Sequence, residues 1–464
     1  MDTKVRYIDL FAGLGGIRIG LEQALGELGL TGECVFTSEI KPHAISVYKE
    51  NFPDEEIHGD ITKIEPSSIP DFDVLLAGFP CQPFSSAGAR KGFLDTRGTL
   101  FFNIERILKE KKPRAFLLEN VEGLVNHDKI DSSRPIGRTL ETILQHLRDL
   151  GYRVSWRVLD ASKYGVPQKR KRIYITGSLN DDVDLQNIQE CRSKLADVLE
   201  ENPTNPTYLT SKLAIKLCEK YTVEELVGKQ IKDKRGGKNN IHSWDVELKG
   251  SVSDYQKTLL EAILRQRRRK EWAIRKHIRW SDGMPLTLED IASFMLRPLS
   301  ATFSSDLEFL EKELNDLVEK GYLTLETPKQ AADKEELRGY NIVAGKLSFD
   351  ISNILDPHSV APTLVAMDVT KMAIYDRGRF RRLTVREGLR LFGFPETYDI
   401  SAVSYREAFD LLGNSVSINA IKKVSEQLLK ATVLSRVQST TPELLDTIER
   451  DFPEADIRIE PAYL

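Results

Sequence analysis

The chain has 464 residues, about three times a typical domain, which predicts two domains or one with a large insertion. Hydrophobic residues make up 41 % and charged residues 29 %, an ordinary globular balance that excludes a disordered or fibrous chain. A formal net charge of −4 excludes a uniformly basic nucleic-acid coat, though not a local basic face, and no run reaches the ~20 apolar residues of a membrane span.

The chain opens on "MDTKVRYIDLFAG", which lacks the apolar run of a signal peptide, so a cytoplasmic setting is expected. Its four cysteines, Cys34, Cys81, Cys191 and Cys218, are scattered, and suggest neither a disulfide framework nor a metal site. Val5–Leu10 reads as a strand, followed by the turn "FAGLGG" and a helix with Ile17, Leu21, Ala24, Leu25 and Leu28 on one face. "CVFTSE" (34–39) reads as a second strand, "EIHGD" (56–60) as a short third, "DVLLAG" (73–78) as a fourth and "AFLLEN" (115–120) as a fifth. Helices fit Leu100, Phe101, Ile104 and Leu108, and then Leu140, Ile143, Leu144, Leu147 and Leu150, with Gly151 as a stop. This alternation predicts an α/β fold: a parallel sheet with helices on both faces.

Glu39, Asp60, Cys81 and Glu119 all fall at or just past expected strand ends. Carboxyl ends of parallel strands are where such sheets bind ligands. "FAGLGG" is not the dinucleotide fingerprint, because the sixth position counted from Gly13 is Arg18. Glu39 could still reach a ribose hydroxyl pair and Asp60 an adenine amine, and without a phosphate-loop lysine an adenosine lacking phosphates fits better. Cys81 sits between Pro80 and Pro83, which stiffen the backbone; alone it reads as a buried turn cysteine.

"FAGLGG", "GFPCQPFS", "LLENV", "QKRKR", "LTVREGLRLFGFP" and "GNSV" together change that reading. In this order they resemble the cytosine-5 DNA methyltransferases, over roughly 1–178 and 360–432. The resemblance implies a Rossmann-like catalytic domain, 1–178 completed by 413–432, and a smaller target-recognition domain, 179–412. It implies S-adenosylmethionine as cofactor, S-adenosylhomocysteine as product, and no metal. Cys81 would be the nucleophile and Glu119 its protonated partner, with Asn120 orienting the pocket. Arg172 would hold the cytosine carbonyl, and Arg170 the DNA backbone and catalytic loop while lowering the thiol pKa. The cofactor would be held by Phe11, Gly13, Leu14, Gly15, Glu39, Ile40, Asp60, Ile61, Pro80, Leu100, Asn414 and Val416. DNA contacts would come from Ser85 and Arg97 on a mobile loop, from Gln168, and from Thr363 beside the flipped nucleotide. Asn414 and Val416 come from the far end of the chain, so the last helix, about 418–429, should dock back on the first domain. No residue announces itself as the base for the carbon-5 proton.

In this family the region between "QKRKR" and "LTVREGLRLFGFP" reads the DNA. Here "LRQRRRKEWAIRKHIRW" (264–280) carries eight Lys/Arg against one acid, Glu271, with Trp272 and Trp280 interleaved, which suits phosphate contacts. Downstream, Thr287 and Asp290 form a capping-box pattern; Leu307, Leu310, Leu314 and Leu317 share a helical face; and "YLTLE" reads as a strand. The pattern near 284–349 resembles a winged-helix unit, although its long helix is acidic outside. The tail 433–464 carries no readable chemistry. The expected partners are double-stranded DNA and a cognate restriction endonuclease, with the protein monomeric and nucleoid-associated. The competing reading, tRNA methylation on the same scaffold, lacks the Cys-Phe-Thr tripeptide of that relative. A catalytically dead homologue is disfavoured by intact Cys81, Glu119, Arg170 and Arg172.

Overall fold

The computed structural model describes residues 4–80, 99–129, 131, 133–297, 302–343 and 349–434. It divides into two compact units: 1–199 with 359–366 and 385–464, and 200–358 with 367–384.

Unit 1 is built on a six-stranded sheet of β1 (Lys4–Leu10), β2 (Thr31–Ser38), β3 (Val74–Gly78), β4 (Ala115–Val121), β5 (Arg153–Asp160) and β6 (Lys171–Ser178), in the order β2-β1-β3-β4-β6-β5. The first four are parallel, while β6 runs antiparallel to both β4 and β5. Side chains alternate between faces with the period of a strand. Ile8, Leu75, Ala77, Phe116 and Leu118 pack on one side with the helices α3 (Thr99–Lys111) and α4 (Arg138–Asp149). Tyr7, Val74, Leu76, Ala115 and Leu117 pack on the other. That second face is covered by α1 (Gly16–Glu27) and α14 (Ile418–Leu429); α2 (Pro42–Asn51) follows β2. Both faces are therefore apolar, as a central parallel sheet requires.

α14 returns to unit 1 at the position expected, and two glycines explain how closely. A Cβ on Gly16 would lie 2.8 Å from Val416 Cγ2, and one on Gly20 2.5 Å from Ile421 Cγ2. Before α14, α12 (Val385–Arg390) and α13 (Tyr405–Asn414) also belong to unit 1. Residues 179–199, 359–366 and 385–412, assigned above to the recognition domain, thus cluster with unit 1. Backbone pairing accounts for part of this: Gln168 bridges Ala361, and Tyr164 bridges Cys191.

Two expected features differ. "EIHGD" is not a strand; it makes one isolated bridge, Thr37 to Ile57, so Asp60 lies on a loop and caps a short 3-10 turn. β5 has no counterpart among the expected strands, and the sheet is mixed rather than wholly parallel.

Unit 2 has two parts. α5 (Lys212–Lys220), α6 (Val223–Leu226), β7 (Gln230–Ile231), β8 (Asn240–Ile241), β11 (Asn353–Ile354), β12 (Met372–Asp376) and β13 (Arg379–Arg381) build a small sheet, ordered β13-β12-β11-β7-β8. The short α11 spans Ala366–Val369. The other part contains α7 (Asp254–Gln266), α8 (Glu271–Arg275), α9 (Leu288–Met295), α10 (Phe303–Glu319) and the antiparallel pair β9 (Leu323–Glu326) and β10 (Gly339–Ile342). Its core gathers Leu259, Leu260, Ile263, Leu286, Ile291, Leu310, Leu314 and Leu317. The Thr287–Asp290 capping box forms as the sequence predicts, and Gly321, at φ +76°, follows the end of α10.

Candidate active site

The sheet changes direction beside β1: the chain steps from β1 to β2 on one side and returns as β3 on the other. A cavity of about 500 Å³ opens at the carboxyl ends of these strands, a size suited to a small ligand. Strand ends supply Phe11–Leu14, Ser38–Lys41, Gly78–Pro80 and Glu119–Val121 to its wall. Ile61, Leu100 and the returning segment 413–416 complete much of the rest.

The glycine turn is shaped by backbone conformation. Phe11 (φ 57°) and Gly13 (φ 55°) are left-handed, a strained choice for a phenylalanine. Glu39 locks the turn from below. Its Oε2 accepts from Gly13 N at 2.8 Å, and its Oε1 accepts from Ile40 N and Lys41 N, each at 2.8 Å. A carboxylate so held is fixed in place yet keeps acceptor capacity toward the cavity. Tyr398 donates to Leu14 O at 2.7 Å from above, a positioning residue that sequence reasoning missed inside "GFPETYD". Ile40 is 65 % exposed although apolar, leaving it free to cover a flat ring. Asp60 Oδ1 accepts from Thr62 N (3.0 Å) and Oγ1 (2.8 Å), which holds its carboxyl below the usual range.

Of the expected cofactor residues, Phe11, Gly13, Leu14, Glu39, Ile40, Asp60, Ile61, Pro80, Leu100, Asn414 and Val416 line the cavity. Gly15 does not. It caps α1 at φ 72°, where a Cβ would lie 2.7 Å from the Phe52 ring; Gly16, not Gly15, is on the wall.

At the other end of the cavity Glu119 meets Arg172. Arg172 Nε lies 3.1 Å from Glu119 Oε1, close enough for an ion pair but without hydrogen-bond geometry, so that buried oxygen is left without a hydrogen bond. Burial raises the Glu119 pKa, although Arg172 and then Arg170 oppose it. Asn120 donates to Phe79 O at 3.0 Å and accepts from Val121 N at 2.8 Å, tying the end of β4 to the end of β3. Cys81 follows Pro80 directly in the chain; Cys81, Ser85 and Arg97 lie outside the described residues.

Gln168 and Arg170, expected at DNA, are both buried. Gln168 is 1 % exposed: its Nε2 donates to Leu391 O at 2.9 Å and its Oε1 accepts from Leu364 N at 3.4 Å, so it braces the fold. Arg170 is 3 % exposed, donates to Gly413 O (3.1 Å) and Ser415 O, and lies 5.1 Å over the Phe392 ring. Burial lowers its pKa to about 9, which leaves it cationic at neutral pH. It clamps the segment that carries Asn414 and Val416 rather than facing open solvent. Thr363 donates to Lys169 O and, with Lys169, Lys171 and Arg172, lines a second, open cavity of about 460 Å³.

The sequence profile of the C-5 cytosine-specific DNA methylases matches residues 5–430. The chain belongs to that family. Within it, the Type II methyltransferase M.NlaIV of Neisseria lactamica is 53 % identical over 433 residues, covering 92 % of this chain and 99 % of that one. M.BanI of Aneurinibacillus aneurinilyticus, also a Type II methyltransferase, is 39 % identical over 453 residues, covering 93 % and 97 %. The fold is similar to that of the S. pombe Dnmt2 methyltransferase, with a TM-score of 0.51 at 17 % identity, over 92 % of this chain and 98 % of that one. Among the described residues of this methylase no helix is long and apolar enough to cross a membrane, and no group of three or more His, Cys, Asp or Glu could hold a metal ion.

Proposed function

We propose that this methylase transfers a methyl group from S-adenosylmethionine to carbon 5 of a cytosine flipped out of a short, specific duplex sequence. In doing so it shields that DNA from a cognate restriction endonuclease, the setting that the Type II names of its relatives suggest. The observation that carries the reading is the pairing of buried, under-bonded Glu119 with Arg172 in the same cavity as the Glu39-locked glycine turn.

S-adenosylmethionine, when bound, supplies an electrophilic methyl on a sulfonium. Glu39 would take the ribose hydroxyls, Asp60 the adenine amine, and Phe11, Ile40 and Ile61 the faces and edge of the ring. Cys81, as thiolate, adds to carbon 6 of cytosine, and the electron pair displaced from the ring double bond makes carbon 5 nucleophilic. Glu119 supplies the proton at ring nitrogen 3 that neutralises the developing charge, while Arg172 holds the carbonyl oxygen. After transfer a base, with water as the candidate, removes the carbon-5 proton, the freed pair expels Cys81 as thiolate, and ring nitrogen 3 returns its proton to Glu119. Asn120 ties Phe79, two residues before Cys81 in the chain, to the end of β4 that carries Glu119.

Expression in a host lacking cytosine-5 methylation, followed by bisulfite sequencing, tests this. Methylation at one recurring short sequence is expected, with Cys81→Ala abolishing turnover but retaining cofactor binding. Unmethylated DNA with methylated tRNA would move the reading to RNA, and substantial turnover in Cys81→Ala would overturn the nucleophile.

A further inference from the structure

We propose that the helical half of unit 2 is a winged-helix-like docking module that grips duplex DNA by its α7–α8 corner and Trp280, not by its third helix. This rests on the DNA reading above and says which surface of the recognition unit engages the duplex. The connectivity is that of a winged helix with one short helix added. α7 and α8 come first, then an edge segment at Leu286, then α9 and α10, then β9 and β10. Leu286 exchanges two backbone hydrogen bonds with Tyr340 of β10 (3.0 and 2.7 Å), so three extended segments lie side by side.

In the usual use of such a fold the third helix enters the major groove. Here that helix, α10, turns Glu308, Glu311 and Glu319 outward, with Asp306, Glu313 and Asp316 partly exposed. Against a polyanion this face, acidic on balance despite exposed Lys312 and the Lys320 paired with Asp316, is repelled.

The cations lie at the opposite end of the module's sequence, and the structure sorts them. Two of the eight in 264–280 are structural. Lys276 pairs with Asp290 at 2.5 Å with little exposure, and Arg267 is buried with Nη1 on Ile342 O at 3.3 Å. Three more are partly neutralised: Arg265 by Glu261 (4.0 Å), Arg268 by Asp282 (2.8 Å) and Arg269 by Glu271 (3.3 Å). Lys270, Arg275 and Arg279 are exposed and have no acid within ion-pair distance among the described residues.

The aromatic component is held ready. Trp280 is 39 % exposed, its Nε1 donates to Arg268 O at 3.3 Å, and Lys270 Nζ lies 5.7 Å from its ring. Arg275 is braced at 5.0 Å over the buried Trp272 ring. An indole pinned at the surface with Lys270 beside it offers a sugar–phosphate backbone an apolar plate and a counter-charge at small ordering cost.

The test uses the full chain and a short synthetic duplex carrying the site found by bisulfite sequencing. The dissociation constant is measured by anisotropy from about 50 to 200 mM salt. Lys270→Ala/Arg275→Ala/Arg279→Ala should lower the steepness of the log–log salt slope by roughly 2 to 3, about 0.9 per lost phosphate contact, and weaken binding about tenfold or more. Glu308→Gln/Glu311→Gln should leave the slope unchanged. Independently, DNA should quench tryptophan emission in the unaltered protein, and Trp280→Phe should abolish that quench. An unchanged slope in the triple variant, or a quench that survives Trp280→Phe, would overturn the proposal while leaving methylation intact. If the unaltered protein binds no duplex at all, the DNA reading itself falls, and this one with it.

Discussion

Arg170 tests whether a buried cation of the "QKRKR" stretch serves the DNA or the fold. Its guanidinium reaches two carbonyls, Gly413 O and Ser415 O, and covers Phe392. Hydrogen bonds to a charged donor contribute about 1.5–3 kcal/mol each, and part of that offsets the cost of burying the cation. A net loss of roughly 2–4 kcal/mol on Arg170→Ala follows. Yet α14 is anchored separately by Ile418, Ile421, Val424 and Leu428, all fully buried. At about 1.5–3 kcal/mol apiece, that packing exceeds the clamp. The helix should therefore stay docked while the segment 413–416 loosens, and with it the cavity wall supplied by Asn414 and Val416.

Calorimetric titration with S-adenosylhomocysteine reads this directly. About 1.4 kcal/mol is tenfold in affinity; with about half to two-thirds of the roughly 2–4 kcal/mol falling on the loosened wall, Arg170→Ala should weaken binding by about ten- to a hundredfold and lower the melting temperature by several degrees. Arg170→Lys, keeping the charge but lacking the fork, should fall between. If cofactor affinity is unchanged while the KM for DNA rises sharply, the clamp argument is wrong and Arg170 acts on the DNA backbone.

Glu119→Gln should lose most turnover. Because burial raises the Glu119 pKa, the stability of the parent relative to this variant should decline as pH rises from the ordinary carboxylate range through the folded pKa, then level off; urea midpoints across pH would show the opposite slope if the carboxylate were the favoured form. Asp9, fully buried beside Arg18 and Glu39, is pushed up to about 7, chiefly by burial. Its charge should therefore cost stability progressively from about pH 4 to 7, by up to roughly 4 kcal/mol above that window, and Asp9→Asn should gain on the parent over that interval and no further. Gly20→Ala places a methyl 2.5 Å from Ile421 Cγ2 and 3.1 Å from Ile418 O; the overpacking, about 1–3 kcal/mol, should outweigh the ~1 kcal/mol gain in helix propensity and lower the melting temperature.

What the sequence disclosed followed from local chemistry, and what it concealed depended on distant partners. The strands β1, β3 and β4 were legible because sheets buried on both faces need short continuous apolar runs. β5 was not: "RVSWRVLD" is half-buried at the sheet edge and is defined by its antiparallel pairing with β6. "EIHGD" had strand-like spacing but no neighbour beyond a single bridge. Gly15 belonged visibly to the ligand turn, but only the structure shows it off the cavity wall, at φ 72° with the Phe52 ring where a Cβ would lie.

The stretch "QKRKR" divides along the same line. An extended backbone sends alternate side chains to opposite sides, so the spacing of Gln168, Arg170 and Arg172 already separates them from Lys169 and Lys171. The structure keeps that parity: the first three turn inward and the two lysines are exposed. Parity cannot say what waits on the inner side. For Gln168 it is carbonyl and amide groups 223 and 196 residues away; for Arg170, carbonyls 243 and 245 residues away; for Arg172, the carboxyl of Glu119 on the adjoining strand. Arg170 and Arg172 both line the cavity, and of the two Arg172 lies within ion-pair distance of the buried Glu119 carboxyl. The motif's spacing therefore marks a segment that fastens the far end of the chain against the cavity while turning the Arg172 cation toward the Glu119 carboxyl.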